Sequence, residues 1–191
     1  MNWLFIGGSI KDKKTLVAPC GLDCFNCELH ENNLTDRLAE LIHTKMGVPK
    51  EEIACKGCRL QDGKHYHLPP EGCATLDCVK SKDVEFCCDC SDFPCAFLAP
   101  TVDKAAQYPH NMKLYNLCRI KKVGLERWIE EEAGQIRKKY FTGKFVVGKG
   151  QAEWETKDGI NLITHRSRGT RQKAAAGDRN VRPITIVVNE A

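Results

Sequence analysis

The cysteines constrain this sequence more than any other feature. Eleven of its twelve cysteines lie between Cys20 and Cys95. The same stretch has few long apolar runs, so apolar burial would hardly offset an ordering cost of roughly 1–2 kcal/mol per residue. Small folds of this kind are stabilised by disulfides or by bound metal. The cysteines occur in the groups Cys20-x3-Cys24-x2-Cys27, Cys55-x2-Cys58, Cys73 with Cys78, and Cys87-Cys88-x-Cys90 followed by Cys95.

The N-terminus favours metal over disulfides, because it has no pattern of a secretory signal. The apolar segment 3–6 follows no basic residues and is soon followed by the charged segment 11–14. No window of the sequence approaches the ~18–20 apolar residues that a membrane helix needs. We therefore expect a cytoplasmic protein without membrane contact. In a reducing compartment, clustered cysteines indicate metal ligands.

Pairs of cysteines separated by two residues are typical of structural zinc sites, because both sulfurs of such a turn can reach one ion at ~2.3 Å. We expect two Zn²⁺ ions. The first would be held by Cys24, Cys27, Cys55 and Cys58, and Gly57 suits a turn that needs a positive φ. The second would draw its ligands from Cys73, Cys78, Cys87, Cys90 and Cys95. Cys20 is a further candidate ligand without an assigned site, so either the two sets exchange a ligand or a third site exists.

Other residues near the cysteines have simpler roles. His65 and His67 are possible ligands, although exposed loop histidines are the plainer expectation. Cys118 is expected to be a small buried hydrophobe on a helix. Cys88 is predicted not to be a ligand. Asp23 and Asp89 are expected to be solvated turn residues, and the alternative is that they support the metal ligands or act as functional acids.

An iron–sulfur cluster is the alternative to zinc. The spacing from Cys20 to Cys27 is also the one by which radical enzymes that use S-adenosylmethionine hold a four-iron cluster. Such enzymes need a barrel of alternating strands and helices, which this sequence does not predict, and Asn26 stands where an aromatic residue is common. A cluster in electron transfer or redox chemistry stays open, because thiolates bind iron and sulfide readily.

The sequence gives little indication of an enzyme. It predicts no nucleophile–base pair, and Gly148-Lys-Gly150 is too short for a phosphate-binding loop. Fully thiolate sites have no open coordination position. We therefore expect a non-catalytic metal-binding module that interacts with a protein partner.

The expected fold is a small metal-stabilised α+β or irregular structure. A zinc-knuckle-like cysteine module is followed by a helical hairpin and a short C-terminal β segment. The predicted divisions are a loosely ordered leader at 1–15, the cysteine module at 16–100, the hairpin at 101–150 and an extension at 151–191.

Apolar periodicity places three helices in this plan. The first follows Asn32 or Asn33, ends at Gly47 and packs one face on the metal core. The others are predicted at 111–122 and 125–140, with the three glutamates Glu130 to Glu132 facing water. Strands are predicted at 145–147 and 184–188.

The C-terminal extension is strongly basic. Between positions 166 and 182 it has six arginines and lysines against one aspartate. A flexible, solvated tail is the expected state of such a segment. RNA binding through this charge is the alternative.

Several motifs together resemble one family. They are Ala18-Pro-Cys-Gly-Leu-Asp-Cys24, Cys55-Lys-Gly-Cys58, Val84-Glu-Phe-Cys87 and Phe93-Pro-Cys95, with similarity continuing through Asn116-Leu, Trp128-Ile and Lys139-Tyr-Phe-Thr-Gly143. This pattern resembles the cysteine-rich domain of unknown function 3795 over residues 16–150. The resemblance implies a zinc-binding protein and assigns it no reaction.

Overall fold

The computed structural model describes residues 9–144 and 147–148. Within these residues the only regular structure is helical, and there is no sheet. Two isolated β-bridges occur, one between Val17 and Asp23 and one between His30 and Cys55. The described part of the chain is therefore a helical fold with long ordered loops, and the β component of the expected α+β fold is not found there.

The described chain begins with helix α1, Ile10–Thr15, in the second half of the predicted leader. Ser9 starts it through a capping box, in which the Ser9 hydroxyl accepts from the Asp12 amide at 3.2 Å and the Asp12 carboxylate accepts from the Ser9 amide at 3.3 Å. Helix α1 packs against the C-terminal helices. It thus ties the start of the cysteine region to the other end of the described chain.

Helix α2, Asp36–Met46, is the first helix that periodicity predicted. The Thr35 hydroxyl caps its N-terminus, and Gly47 ends it with a φ of 69°. Its packing differs from the expectation, because Ile42 is its only buried residue while Leu41 is 53% exposed. Helix α2 contacts mainly the short helix α3, Lys50–Ile53, and so lies at the edge of the fold.

The rest of the cysteine region consists of one helix and several turns. Helix α4 is Ala74–Ser81. Single 3-10 turns are formed by Cys24–Asn26, Cys87–Asp89 and Ala96–Leu98, and a further one, Pro109–Asn111, leads into the C-terminal helices.

The C-terminal helices match the predicted hairpin. Helix α5 is Met112–Val123, and Gly124 separates it from α6, Leu125–Arg127. A π-helical turn, Trp128–Glu132, continues directly into α7, Ala133–Thr142.

Two predictions about these helices are wrong. Glu132 was expected to face water but is 5% exposed. It accepts two hydrogen bonds from the buried Arg119, at 2.8 and 2.6 Å. Cys118 was expected to be buried and is exposed, because it follows Leu117 on α5 and points away from the face that Leu117 and Ile120 bury.

One hydrophobic core joins the cysteine region to the helices. Phe25, from the first cysteine group, meets Trp128 edge to face with 6.3 Å between ring centroids and 83° between the ring planes. Trp128 is fully buried. The apolar residues that the cysteine region adds to this core are Val17, Phe25, Val79, Phe86 and Leu98. Apolar packing therefore contributes more to this region than its sequence indicates.

Three predictions concern residues that the structure does not describe fully. The strand at 184–188 and the basic segment at 166–182 lie outside the described residues. Of the strand at 145–147 only Val147 is described, in a turn. These stay predictions.

Candidate metal centre

The first cysteine group is assembled by backbone hydrogen bonds. In the turn at Cys24–Asn26, the Cys27 amide donates to the Cys24 carbonyl at 3.0 Å. The segment at Cys55 pairs with the residues after this turn, since the Cys55 amide donates to the Leu29 carbonyl at 2.8 Å and the Glu31 amide donates to the Cys55 carbonyl at 2.9 Å. These bonds bring two sequence-distant cysteine pairs next to each other.

The second pair has a turn of its own. Gly57 has a φ of 91°, as its place in the turn predicted. Its amide donates to the Cys55 sulfur at 3.3 Å. An amide directed at sulfur stabilises a thiolate, so this turn favours the charged form of Cys55.

Cys24, Cys27, Cys55 and Cys58 lie close enough to affect one another's ionisation. A hydrogen bond from the Cys24 thiol lowers the pKa of Cys58 to about 7, and the same bond, together with burial, raises the pKa of Cys24. Burial raises the pKa values of Cys27 and Cys55, and each is raised further by a nearby cysteine charge, Cys55 acting on Cys27 and Cys58 on Cys55. We call these four residues the first thiol set.

Cys20 lies between this set and a second one. Burial raises the pKa of Cys20 to about 11, Lys113 opposes the rise, and the charges of Cys58 and Cys73 add to it. Cys20 in turn raises the pKa of Cys87. Cys73 is therefore within electrostatic range of Cys20, and Cys20 links the two groups of cysteines.

The second group surrounds a cavity of about 220 Å³ that is open to solvent. Cys78, Cys87, Cys90 and Cys95 line it, with apolar side chains between them, and we call these four the second thiol set. Burial raises the pKa of Cys87 to about 12, with further contributions from other cysteines. The Lys82 ammonium lies 3.4 Å from the Cys90 sulfur and pairs with Asp92 at the rim.

The donor chemistry of both sets suits soft or borderline metals. All twelve cysteines lie within the described residues, and all are free thiols. Thiolates bind zinc, copper(I) and iron–sulfur clusters in preference to hard cations. In residues 9–144, however, no three Cys, His, Asp or Glu side chains are arranged as a finished metal site. The residue types and their neighbourhood fit a metal, and the sulfurs would have to turn toward it.

The remaining candidates lie apart from the two sets. His65 and His67 face each other with 2.5 Å between their Nδ1 atoms, and His67 is exposed as expected while His65 is half-buried. Cys88 is buried beside Asp89 rather than in the cavity. Asp89 accepts from the Phe86 amide at 3.0 Å, which is the role of a turn residue.

Asp23 was predicted to be a solvated turn residue, and this is wrong. It is fully buried, and its carboxylate accepts a hydrogen bond from Arg137 of α7 at 3.2 Å. Burial raises the pKa of Asp23, and the charge of Arg137 opposes that rise. Arg137 was not predicted to be buried, although the sequence contains one indication of this role. Position 137 lies beside the apolar stripe of α7 that includes Ile136 and Tyr140.

Comparison with known protein families identifies part of the chain. Residues 16–100 match the family DUF3795, described as a protein of unknown function. The resemblance seen in the sequence is thereby confirmed for this span, which contains both thiol sets. The DUF3795 match ends before the helical hairpin, so Arg137 and Trp128 lie outside it.

No curated protein and no solved structure matched the chain. Among the described residues, none of the helices is both long enough and apolar enough to span a bilayer.

Proposed function

We propose that the DUF3795 segment is a thiolate metal-binding module that holds two zinc ions and has a structural, non-catalytic role. One observation carries this proposal: cysteines from separate segments of the chain gather into two adjacent sets of free thiols. Thiolates gathered this closely repel one another, and a bound metal ion supplies the positive charge that offsets the repulsion. The first ion is assigned to the first thiol set, and the second ion to the second thiol set.

Cys20 and Cys73 remain as reserve ligands in this assignment. Cys20 is within electrostatic range of Cys58 in the first set and acts on Cys87 of the second, and Cys73 acts on Cys20. Cys20 is therefore placed to serve either ion. All-thiolate coordination leaves no position for substrate, which supports a structural role.

Elemental analysis of the full chain, purified without chelator under anaerobic conditions, tests the proposal. The expected result is a colourless protein with about two zinc ions per chain. Stoichiometric iron with broad visible absorption would show that the protein holds an iron–sulfur cluster and not zinc. A folded protein with no bound metal would overturn the proposal altogether.

Matched variants assign the metal to its sites. Replacing both Cys24 and Cys27 by serine is expected to remove one zinc ion per chain, and Cys87→Ser with Cys90→Ser the other. Cys118→Ser is the control, because this thiol is exposed and belongs to neither set. Loss of metal in the control equal to that in the paired variants would contradict the assignment.

A further inference from the structure

A single arginine from the helical hairpin holds both ends of the first cysteine turn. Asp23 immediately precedes Cys24, and Glu28 immediately follows Cys27. Arg137 donates from Nη1 to Asp23 at 3.2 Å and from Nη2 to Glu28 at 2.5 Å. One rigid guanidinium therefore brackets the whole segment that carries two thiols of the first set.

The geometry of this contact is well fixed. The Arg137 side chain is 4% exposed and that of Asp23 is fully buried. The second carboxylate oxygen of Asp23 accepts from the Asn26 side chain at 3.0 Å, inside the same turn. The guanidinium also lies over the Phe141 ring, 5.6 Å from its centroid. With partners on three sides, the guanidinium has little freedom, and it restricts the turn in the same way.

The charge of Arg137 acts on the thiols as well. Its nearest ionisable neighbours are Asp23, Glu28 and the thiol of Cys27. Without Arg137, two carboxylates would flank a turn whose two cysteines must both be ionised to bind metal. The repulsion would act most strongly on the buried Asp23, because like charges repel more strongly where water is excluded.

We propose that Arg137 is a positioning residue for metal binding by the first thiol set, acting through Asp23 and Glu28. This inference rests on the proposed zinc function. Partners that orient metal ligands typically change metal affinity by about 10–100-fold when they are removed. Arg137 reaches the site from outside the family segment, so it also couples metal binding to the docking of α7.

Arg119 provides a matched control. It forms an equally buried ion pair with Glu132, with side chains 6% and 5% exposed, inside the same helical hairpin that carries Arg137. None of the thiols contributes to the electrostatic environment of Arg119, which is set by Glu132 and Tyr115. Arg137→Met and Arg119→Met therefore both break a buried pair, and only the first does so beside the thiols.

The test is competition for zinc by a chromophoric chelator, on the full chain under anaerobic conditions. We expect Arg137→Met to lower the affinity for one of the two zinc ions by about 10–100-fold and to leave the affinity for the other unchanged. Arg137→Lys should recover part of the loss, because it restores the charge but not both hydrogen bonds. Arg119→Met should leave both affinities at the wild-type value.

The outcomes separate this inference from the function on which it rests. A wild-type chain that binds no metal would refute the proposed function. A wild-type chain that binds two zinc ions, with Arg137→Met holding them as tightly as Arg119→Met does, would refute only the role of Arg137. If Arg137→Met does not fold, Glu28→Gln is the second test of the inference. This variant should fold, because the Glu28 side chain is 49% exposed and the change removes only its charge. An unchanged zinc affinity in Glu28→Gln would then overturn the inference, and a weakened one would support it.

Discussion

Replacing Phe25 by alanine tests whether apolar packing and metal act together in the cysteine region. Phe25 is 3% exposed and lies between the first two cysteines of the first thiol set. Truncating a buried phenylalanine costs about 3–5 kcal/mol, from lost transfer energy and the cavity that remains. The edge-to-face contact with Trp128 contributes about 0.5–1.5 kcal/mol of this cost. We therefore expect the free energy of unfolding to fall by about 4 kcal/mol.

The assay is urea unfolding of the zinc-loaded protein, followed by circular dichroism, with zinc content measured alongside. Phe97→Ala is the control, because Phe97 is 49% exposed and the same truncation should cost less than about 1 kcal/mol there. A double-mutant cycle with Trp128→Leu should give a coupling energy of about 1 kcal/mol. The reasoning is refuted if Phe25→Ala costs no more than Phe97→Ala while zinc stays bound, since metal alone would then stabilise the region.

Three further predictions concern stability. Arg119→Met should cost about 3–5 kcal/mol in urea unfolding, while Arg119→Met with Glu132→Leu should lie near the wild type; an equal loss in both would contradict this. Gly21→Ala should cost at least about 2 kcal/mol, because its Cβ would lie 2.8 Å from a leucine carbon of α5, whereas Gly47→Ala, with open space around it, should cost about 1 kcal/mol. Although part of His67 is exposed, partial desolvation of its ring and the neighbouring His65 lower its pKa to about 4, below the unfolded value near 6.5. The folded protein therefore binds fewer protons and loses stability as pH falls from about 7 toward 4. His67→Gln should flatten that pH dependence of urea unfolding, and an unchanged slope would exclude His67 as its source.

The longest helical segments, α2, α5 and the run from α6 to α7, were predictable from the sequence, because each has an apolar stripe and a clear end, whereas α1 and α4 were not predicted. Gly47 and Gly124 end α2 and α5 where the pattern predicts. Cys118 was assigned to the core because leucine and isoleucine stand near it in sequence. Each residue of a helix advances by 100°, so the exposure of Cys118 follows from helical phase, which that assignment ignored.

The interior of the cysteine region was harder to predict. Its apolar residues are scattered singly, so no local window indicates a core. Val17 and Phe25 become core residues only because Trp128, more than a hundred positions away, packs against the same cluster. Contacts of such long range are not visible in hydrophobic periodicity, which reports on one element at a time.

The grouping of the thiols could be predicted in part from the sequence. The spacing of Cys24 with Cys27 and of Cys55 with Cys58 suggested one set, and the structure places these four together. The position of Cys73 could not be predicted from the sequence, because the loop before it has no pattern that determines the path of the chain. Metal occupancy of either set stays a prediction.

The π-helical turn at Trp128–Glu132 lets the hairpin hold one residue more than a continuous α-helix would. Such a turn contains one residue more than the α-helical turn it replaces. Deleting one of its residues would allow a regular helix and leave the residues after the turn at nearly the same angle, because both kinds of turn close one full rotation. Arg137 would then still face Asp23 and Glu28. A deletion within α7 between Ala133 and Arg137 would instead rotate Arg137 by about 100°, so related sequences should tolerate a one-residue deletion in the π turn far better than one in the helix that follows it.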